Sequence, residues 1–184
     1  MIALLRLVGT VNAALWFGGT LFFTLILGPA FFSDMLTLFG WPKTGMLARY
    51  YAGAVAQMMI ERYFIIQYCC GAIALAHLAV ERLYTGRVLR RSTLYLVVGL
   101  FGLGLAGGLW LQPRMRQLHQ TMYGLSGPVT PAQAEQARRA FGIWHGISQS
   151  ANLVSLAGLV IYLWQVTRPG GAQRPGGRTK FGLE

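Results

Sequence analysis

The stretch Phe141-Gly-Ile-Trp-His-Gly-Ile-Ser-Gln-Ser-Ala-Asn-Leu153 decides the fold, because it runs without a break into residues that stay apolar to Thr167. A histidine, two glycines, two serines, a glutamine and an asparagine thus stand at the mouth of a segment long enough to cross a bilayer. Lipid cannot satisfy those groups, so the stretch predicts neighbouring helices that do. His145, Ser148, Asn152 and Ser155 fall at i, i+3, i+7 and i+10 with Gln149 beside them, and therefore share one helix face.

Upstream, Thr130-Pro131 supplies a capping hydroxyl and a proline at the first helical position, and Glu135 places an acid in the early turns. Nothing breaks the helical pattern from there to Thr167. A helix of about 36 residues is roughly 54 Å long, so its first half is expected to protrude from a hydrocarbon core of about 30 Å.

The rest of the chain supplies the partner helices. Of 184 residues 54% are hydrophobic and 11% charged, which is too apolar for a soluble domain of this size. Leu7 to Phe32 contains no charged side chain, and Gly9, Asn12, Trp16 and Gly19 form a heptad-like seam within it. Its apolar core is too long for a secretory signal, so a retained span is expected. A second helix is expected from near Gly45, capped by Thr44, amphipathic at first and crossing from Tyr63 to about residue 83. Leu94 to Leu111 is a third apolar run, with a small-xxx-small pair at Gly104 and Gly108 that lets helix backbones approach closely. Gln112-Pro113-Arg114 is expected to end it, with a helical continuation to Tyr123 after a kink.

The expected architecture is therefore all-α, an integral membrane four-helix bundle over residues 1–167 with spans near 7–32, 63–83, 94–112 and 143–167. The second and fourth helices, and the third if it continues past Pro113, extend beyond the bilayer. Residues 168–184 form a basic, Gly/Pro-rich tail. The net charge of +11 comes from cations in loops and tail, where headgroups and topology explain it without nucleic acid. Four spans put both termini on one side. That side carries nine basic residues in short segments beside span ends, against seven opposite, which predicts cytoplasmic termini and a location in the plasma or inner membrane.

The candidate chemistry is sparse. The stripe His145, Ser148, Gln149, Asn152 and Ser155, with Asn12 as its expected partner, reads either as a packing seam or as a site for a polar solute. Gly18, Gly19, Gly104, Gly108, Gly142 and Gly146 read as helix-packing positions. Cys69, Cys70, His77 and His119 are weak metal candidates. Adjacent cysteines diverge by about 100° on a helix, so the first two make no chelate without distortion. A bis-histidine haem is disfavoured because His77 and His145 lie at opposite depths and His119 lies beyond the third span. No cofactor is expected. No nucleotide loop or nucleophile and base constellation appears, so no enzymatic activity is expected. The reading is a non-enzymatic membrane module that packs with itself or with other membrane proteins. A small transporter or an efflux or metal-resistance accessory is the alternative, and a haem-binding redox protein a more distant one. Below Ser155 the fourth span offers only Tyr162 and Gln165, so a continuous path is not expected.

Three pieces of the chain resemble the transmembrane protein 205-like family, which carries domain of unknown function 4149. They are the first span ending in Gly28-Pro29-Ala-Phe-Phe32, the Trp110-Leu-Gln-Pro-Arg114 exit of the third, and the Phe141, His145, Gly146, Ser148, Asn152 and Leu153 entry of the fourth. The resemblance implies a four-helix membrane protein with no established catalytic activity, and a vertebrate relative linked to resistance to platinum drugs.

Overall fold

The computed structural model describes residues 2–32, 46–85, 90–125 and 127–168, and these form helices with no strand among them. The first rod is an α-helix Ile2–Phe22, a π-helical turn Phe23–Leu27 and a short α-helix Gly28–Phe32. The second is one helix, Met46–Thr85. The third comprises Arg91–Ala106, a π-helical turn Gly107–Leu111 and Gln112–Met122, and the fourth is Pro131–Thr167. All four are long and apolar enough to cross a membrane. The expected Thr44 cap, the start near Gly45 and the tail beyond Arg168 lie outside the described residues.

Pro113 does not end the third rod. A proline inside a helix removes an N–H and presses its ring on the carbonyl four residues back, here that of Leu109. The helix absorbs this by widening just ahead of the proline, where the Gln112 N–H donates to the Gly107 carbonyl five residues earlier. Pro29 is accommodated in the same way, with the Gly28 N–H bonded to the Phe23 carbonyl. Both rods therefore run on past their prolines.

The fourth helix starts where its sequence directs. The Gln133 N–H donates to Thr130 Oγ1 at 3.3 Å while the Thr130 N–H donates to Gln133 Oε1 at 2.9 Å, a reciprocal capping box. Glu135 takes no part in the cap. It pairs with Arg138 and Arg139 on the exposed face.

In the assembled bundle the first and third rods each pack against the second and the fourth, so the four stand as a square with alternating direction. The half nearer Ile2 and Thr167 is tightly filled by Ala13, Ala74, Val97, Leu159 and Tyr162, all 1% exposed or less. Large apolar side chains instead face outward, among them Leu15, Ile66, Leu109 and Val154. That inversion of a soluble protein suits lipid. Trp110 and Trp144 meet edge to face at one end, and Arg168 lies over Trp164 at the other. Trp144 and Trp164 are 20 residues apart on one helix, about 30 Å, which matches the hydrocarbon thickness between two aromatic belts. Glu61, bonded to Arg116 at 2.8 Å, marks the outward extension of the second and third rods beyond the belt at Trp144.

Candidate functional site

The polar face of the fourth helix closes against the first and second rods at Asn152 and elsewhere borders open space. His145, Ser148, Gln149, Asn152 and Ser155 line a cavity of about 120 Å³ enclosed by all four rods, in the half of the bundle nearer the Trp144 end. The first rod adds Trp16, Phe23 and Thr24, the second Tyr63, Phe64 and Gln67, the third Gly104, Gln112 and Met115. Among the described residues no carboxylate, lysine, arginine or cysteine lines it.

A hydrogen-bond network builds the inner part. The Trp16 indole N–H donates to Gln67 Oε1, and the Gln67 amide donates to Thr20 Oγ1 at 2.8 Å. The Thr20 and Thr24 hydroxyls donate back to carbonyls one turn earlier in their own helix. The Asn152 amide donates to Thr24 Oγ1 at 2.6 Å, and the Tyr63 hydroxyl donates to Asn152 Oδ1 at 3.1 Å. Phe23 stacks on Tyr63 at 4.3 Å between ring centroids and steadies that donor. Three rods are thereby locked through buried side-chain amides, indole and hydroxyls, so the inner polar groups are satisfied. Ser155 donates to its own Ala151 carbonyl at 2.9 Å.

Further out the situation reverses. Ser148 and Gln149 reach the cavity and form no hydrogen bond within the described protein, and the His145 ring makes only a stacking contact, with Phe141. Gln112 donates at 3.5 Å to the Gln57 carbonyl, which leaves its own carbonyl oxygen free. These groups form a half-ring of unspent donors and acceptors above a satisfied floor.

Asn12 is not part of this site. It donates to the Cys70 carbonyl at 2.9 Å, and it sits twelve residues before Thr24, about 18 Å along the helix from the partner Asn152 actually takes. The seam on the first span correctly includes Gly9 and Trp16, but Gly19 faces outward and Thr20 occupies the buried position instead. Gly18, Gly19, Gly142 and Gly146 have open space where a side chain would begin, with no atom of another helix within 4 Å of that point among the described residues. Gly104 makes an ordinary contact with Gln67, while Gly108 admits the Tyr68 hydroxyl so closely that any side chain there would displace it. Further close approaches are at Gly9, on the expected seam, under the His77 ring, and at Gly53 under His119 and Gly158 under Leu100.

The weak metal candidates stay apart. Cys69 is exposed and Cys70 buried, His77 Nε2 lies 2.9 Å from the Leu5 carbonyl at the opposite end from His145, and no group of three metal-ligating side chains converges among the described residues. His119 belongs to a roof above the cavity, beyond the Trp144 belt. It is 4% exposed, stacks on Tyr50 at 5.8 Å and packs with Tyr123 and Phe141, while Phe141 in turn stacks on His145 at 6.0 Å. Burial without a partner for Nε2 pushes its pKa below the ordinary histidine value.

The inner network is the part least visible in the sequence. Its only signals there are Trp16, Thr20 and Thr24 at successive i+4 positions and a lone Gln67 in an apolar run.

A family model described as "Domain of unknown function (DUF4149)" matches residues 11–124, which takes in the first three rods and stops before the polar face of the fourth. No curated protein and no solved structure shows significant similarity to the chain.

Proposed function

The chain belongs to the DUF4149 family, and from that premise we propose that it is a non-enzymatic multi-pass membrane protein that holds a small, uncharged polar ligand in its inter-helix cavity. One observation carries the proposal: His145, Ser148 and Gln149 present hydrogen-bonding groups to the cavity with no partner for them among the described residues. His145 and Ser148 are partly exposed and Gln149 is exposed, so these groups are free to bond an occupant of the cavity. A charged occupant would be left without a counter-charge in a low-dielectric site, which favours a neutral one. A space of about 120 Å³ suits a small solute rather than a large one. A lining without carboxylate or thiol among the described residues supports a binding role over a catalytic one. With the termini on the cytoplasmic side, as the basic residues favour, the cavity lies in the half of the bundle nearer the opposite face.

Cysteine accessibility tests this reading. In a Cys69→Ala, Cys70→Ala background, a membrane-impermeant thiol reagent added from the side opposite the termini is expected to modify Ser148→Cys readily and the lipid-facing Val154→Cys slowly. Equal, slow modification at both positions contradicts an open polar cavity.

A second reading has its own observation. Gly142 and Gly146 are exposed, one turn apart, with open space where a side chain would begin among the described residues, the spacing at which transmembrane helices of separate chains pack. Assembly with a second copy or another membrane protein is compatible with the cavity, and a Gly146→Ile variant that leaves the oligomeric state unchanged in native gels would remove it.

A further inference from the structure

We propose that the cavity is one half of a permeation path for small uncharged solutes, closed on the terminal side by the Trp16 and Tyr162 rings; this rests on the cavity reading above. Tyr162 is completely buried, and its hydroxyl has no hydrogen-bond partner among the described residues. It meets Trp16 edge to face at 6.2 Å between centroids, while Trp16 itself lines the bottom of the cavity with Leu100 and Leu159. The Tyr162 ring therefore packs behind the cavity floor, with its hydroxyl within reach of the Glu81 charge. Phenylalanine would fill the same space without leaving a buried polar group unsatisfied, so the hydroxyl is a cost in the closed arrangement. A passing water or solute would satisfy it.

Beyond Tyr162 the polar series resumes. Gln165, less than one turn on, accepts a hydrogen bond from Thr93 of the third rod at 2.6 Å, close to the end of the span. From Ser148 to Gln165 the fourth helix rises about 25 Å, most of the hydrocarbon depth. Its own polar residues leave a gap between Ser155 and Tyr162, and that gap is filled from the other rods by Gln67 and the Trp16 indole N–H. The path that the fourth span lacks by itself is thus completed by the first, second and third. Among the described residues, the closure is the apolar core of Ala13, Trp16, Cys70, Ala74, Leu78, Val97, Leu100, Leu159 and Tyr162, in which the Trp16 and Tyr162 rings are the largest side chains and the ones whose rotation would open it. The cavity half has no charged group in its described lining, which selects against ions.

The test uses the full chain in proteoliposomes, with glycerol and urea entry followed by stopped-flow light scattering and potassium flux as the ion control. Wild type is expected to admit glycerol or urea faster than protein-free vesicles and to leave potassium flux unchanged. Tyr162→Ala opens the closure and raises solute entry several-fold over wild type, whereas Tyr162→Phe, which keeps the ring and removes the hydroxyl, lowers it. If wild type and Tyr162→Ala both match protein-free vesicles, or if Tyr162→Phe matches wild type, the path is overturned. Labelling of Ser148→Cys in the same vesicles separates the two claims: a labelled cysteine without solute entry leaves a binding cavity and removes the path, and an unlabelled one removes both. Circular dichroism of each reconstituted variant shows that it is folded when its flux is read.

Discussion

Replacing Gln67 by leucine keeps the volume of the side chain and removes two hydrogen bonds that tie the first rod to the second. Between membrane helices such bonds contribute about 0.6 kcal/mol each. The substitution also strands the Trp16 N–H, whose residue is 2% exposed, and a buried donor without a partner costs about 1 to 3 kcal/mol. The expected loss is therefore about 2 to 4 kcal/mol. It is measured by detergent-induced unfolding of the reconstituted protein with circular dichroism as readout. The specific claim is that most of this loss runs through Trp16, so the measurement is made as a double-mutant cycle. In a Trp16→Phe background the donor is already gone, and Gln67→Leu is expected to cost only about 0.6 kcal/mol for the remaining bond to Thr20. An equal cost in both backgrounds would show that the indole and the amide do not interact, and the network would have to be redrawn.

Two further outcomes follow from the packing. Gly158→Leu drives a side chain into Leu100 and Leu96 and is expected to destabilise by about 1 to 3 kcal/mol, whereas Gly146→Ala, with open space around it, stays within about 0.5 kcal/mol in the same unfolding assay. His119 is held neutral by burial, so its folded pKa lies below the ordinary value of about 6.5. The unfolded chain then binds the proton first as pH falls, and the contribution of His119, complete above about pH 6.5, is lost as pH drops through the lowered folded value. Unfolding measured across that range should show a loss of stability that His119→Phe flattens.

The all-helical bundle is legible in the sequence because it rests on properties that act along the chain: uninterrupted apolar runs, a capping threonine before Pro131, and basic residues at the boundaries. The polar face of the fourth helix is legible for the same reason, since the positions of His145, Ser148, Asn152 and Ser155 follow from helical periodicity alone. Its partners are not. Whether Asn152 reaches Asn12 or Thr24 depends on how far one helix slides past another, and a slide of about three turns leaves every local pattern unchanged. The glycines show the same limit. Gly18 and Gly146 are chemically indistinguishable from Gly9 and Gly158, and only the rotation of each helix about its axis decides which of them receives a neighbour. The helical continuation past Pro113 is legible, but the turn of wider pitch ahead of the proline that carries it is not, because nothing local marks it.

The pairing of Asn152 with Thr24 anchors the whole arrangement, since it sets the register of the fourth helix on the first and places the cavity. A short bifunctional thiol reagent applied to cysteine pairs in the Cys69→Ala, Cys70→Ala background measures it directly. Thr24→Cys with Asn152→Cys is expected to cross-link within one chain, and Asn12→Cys with Asn152→Cys is not. Cross-linking of the second pair in place of the first would contradict the register and, with it, the cavity.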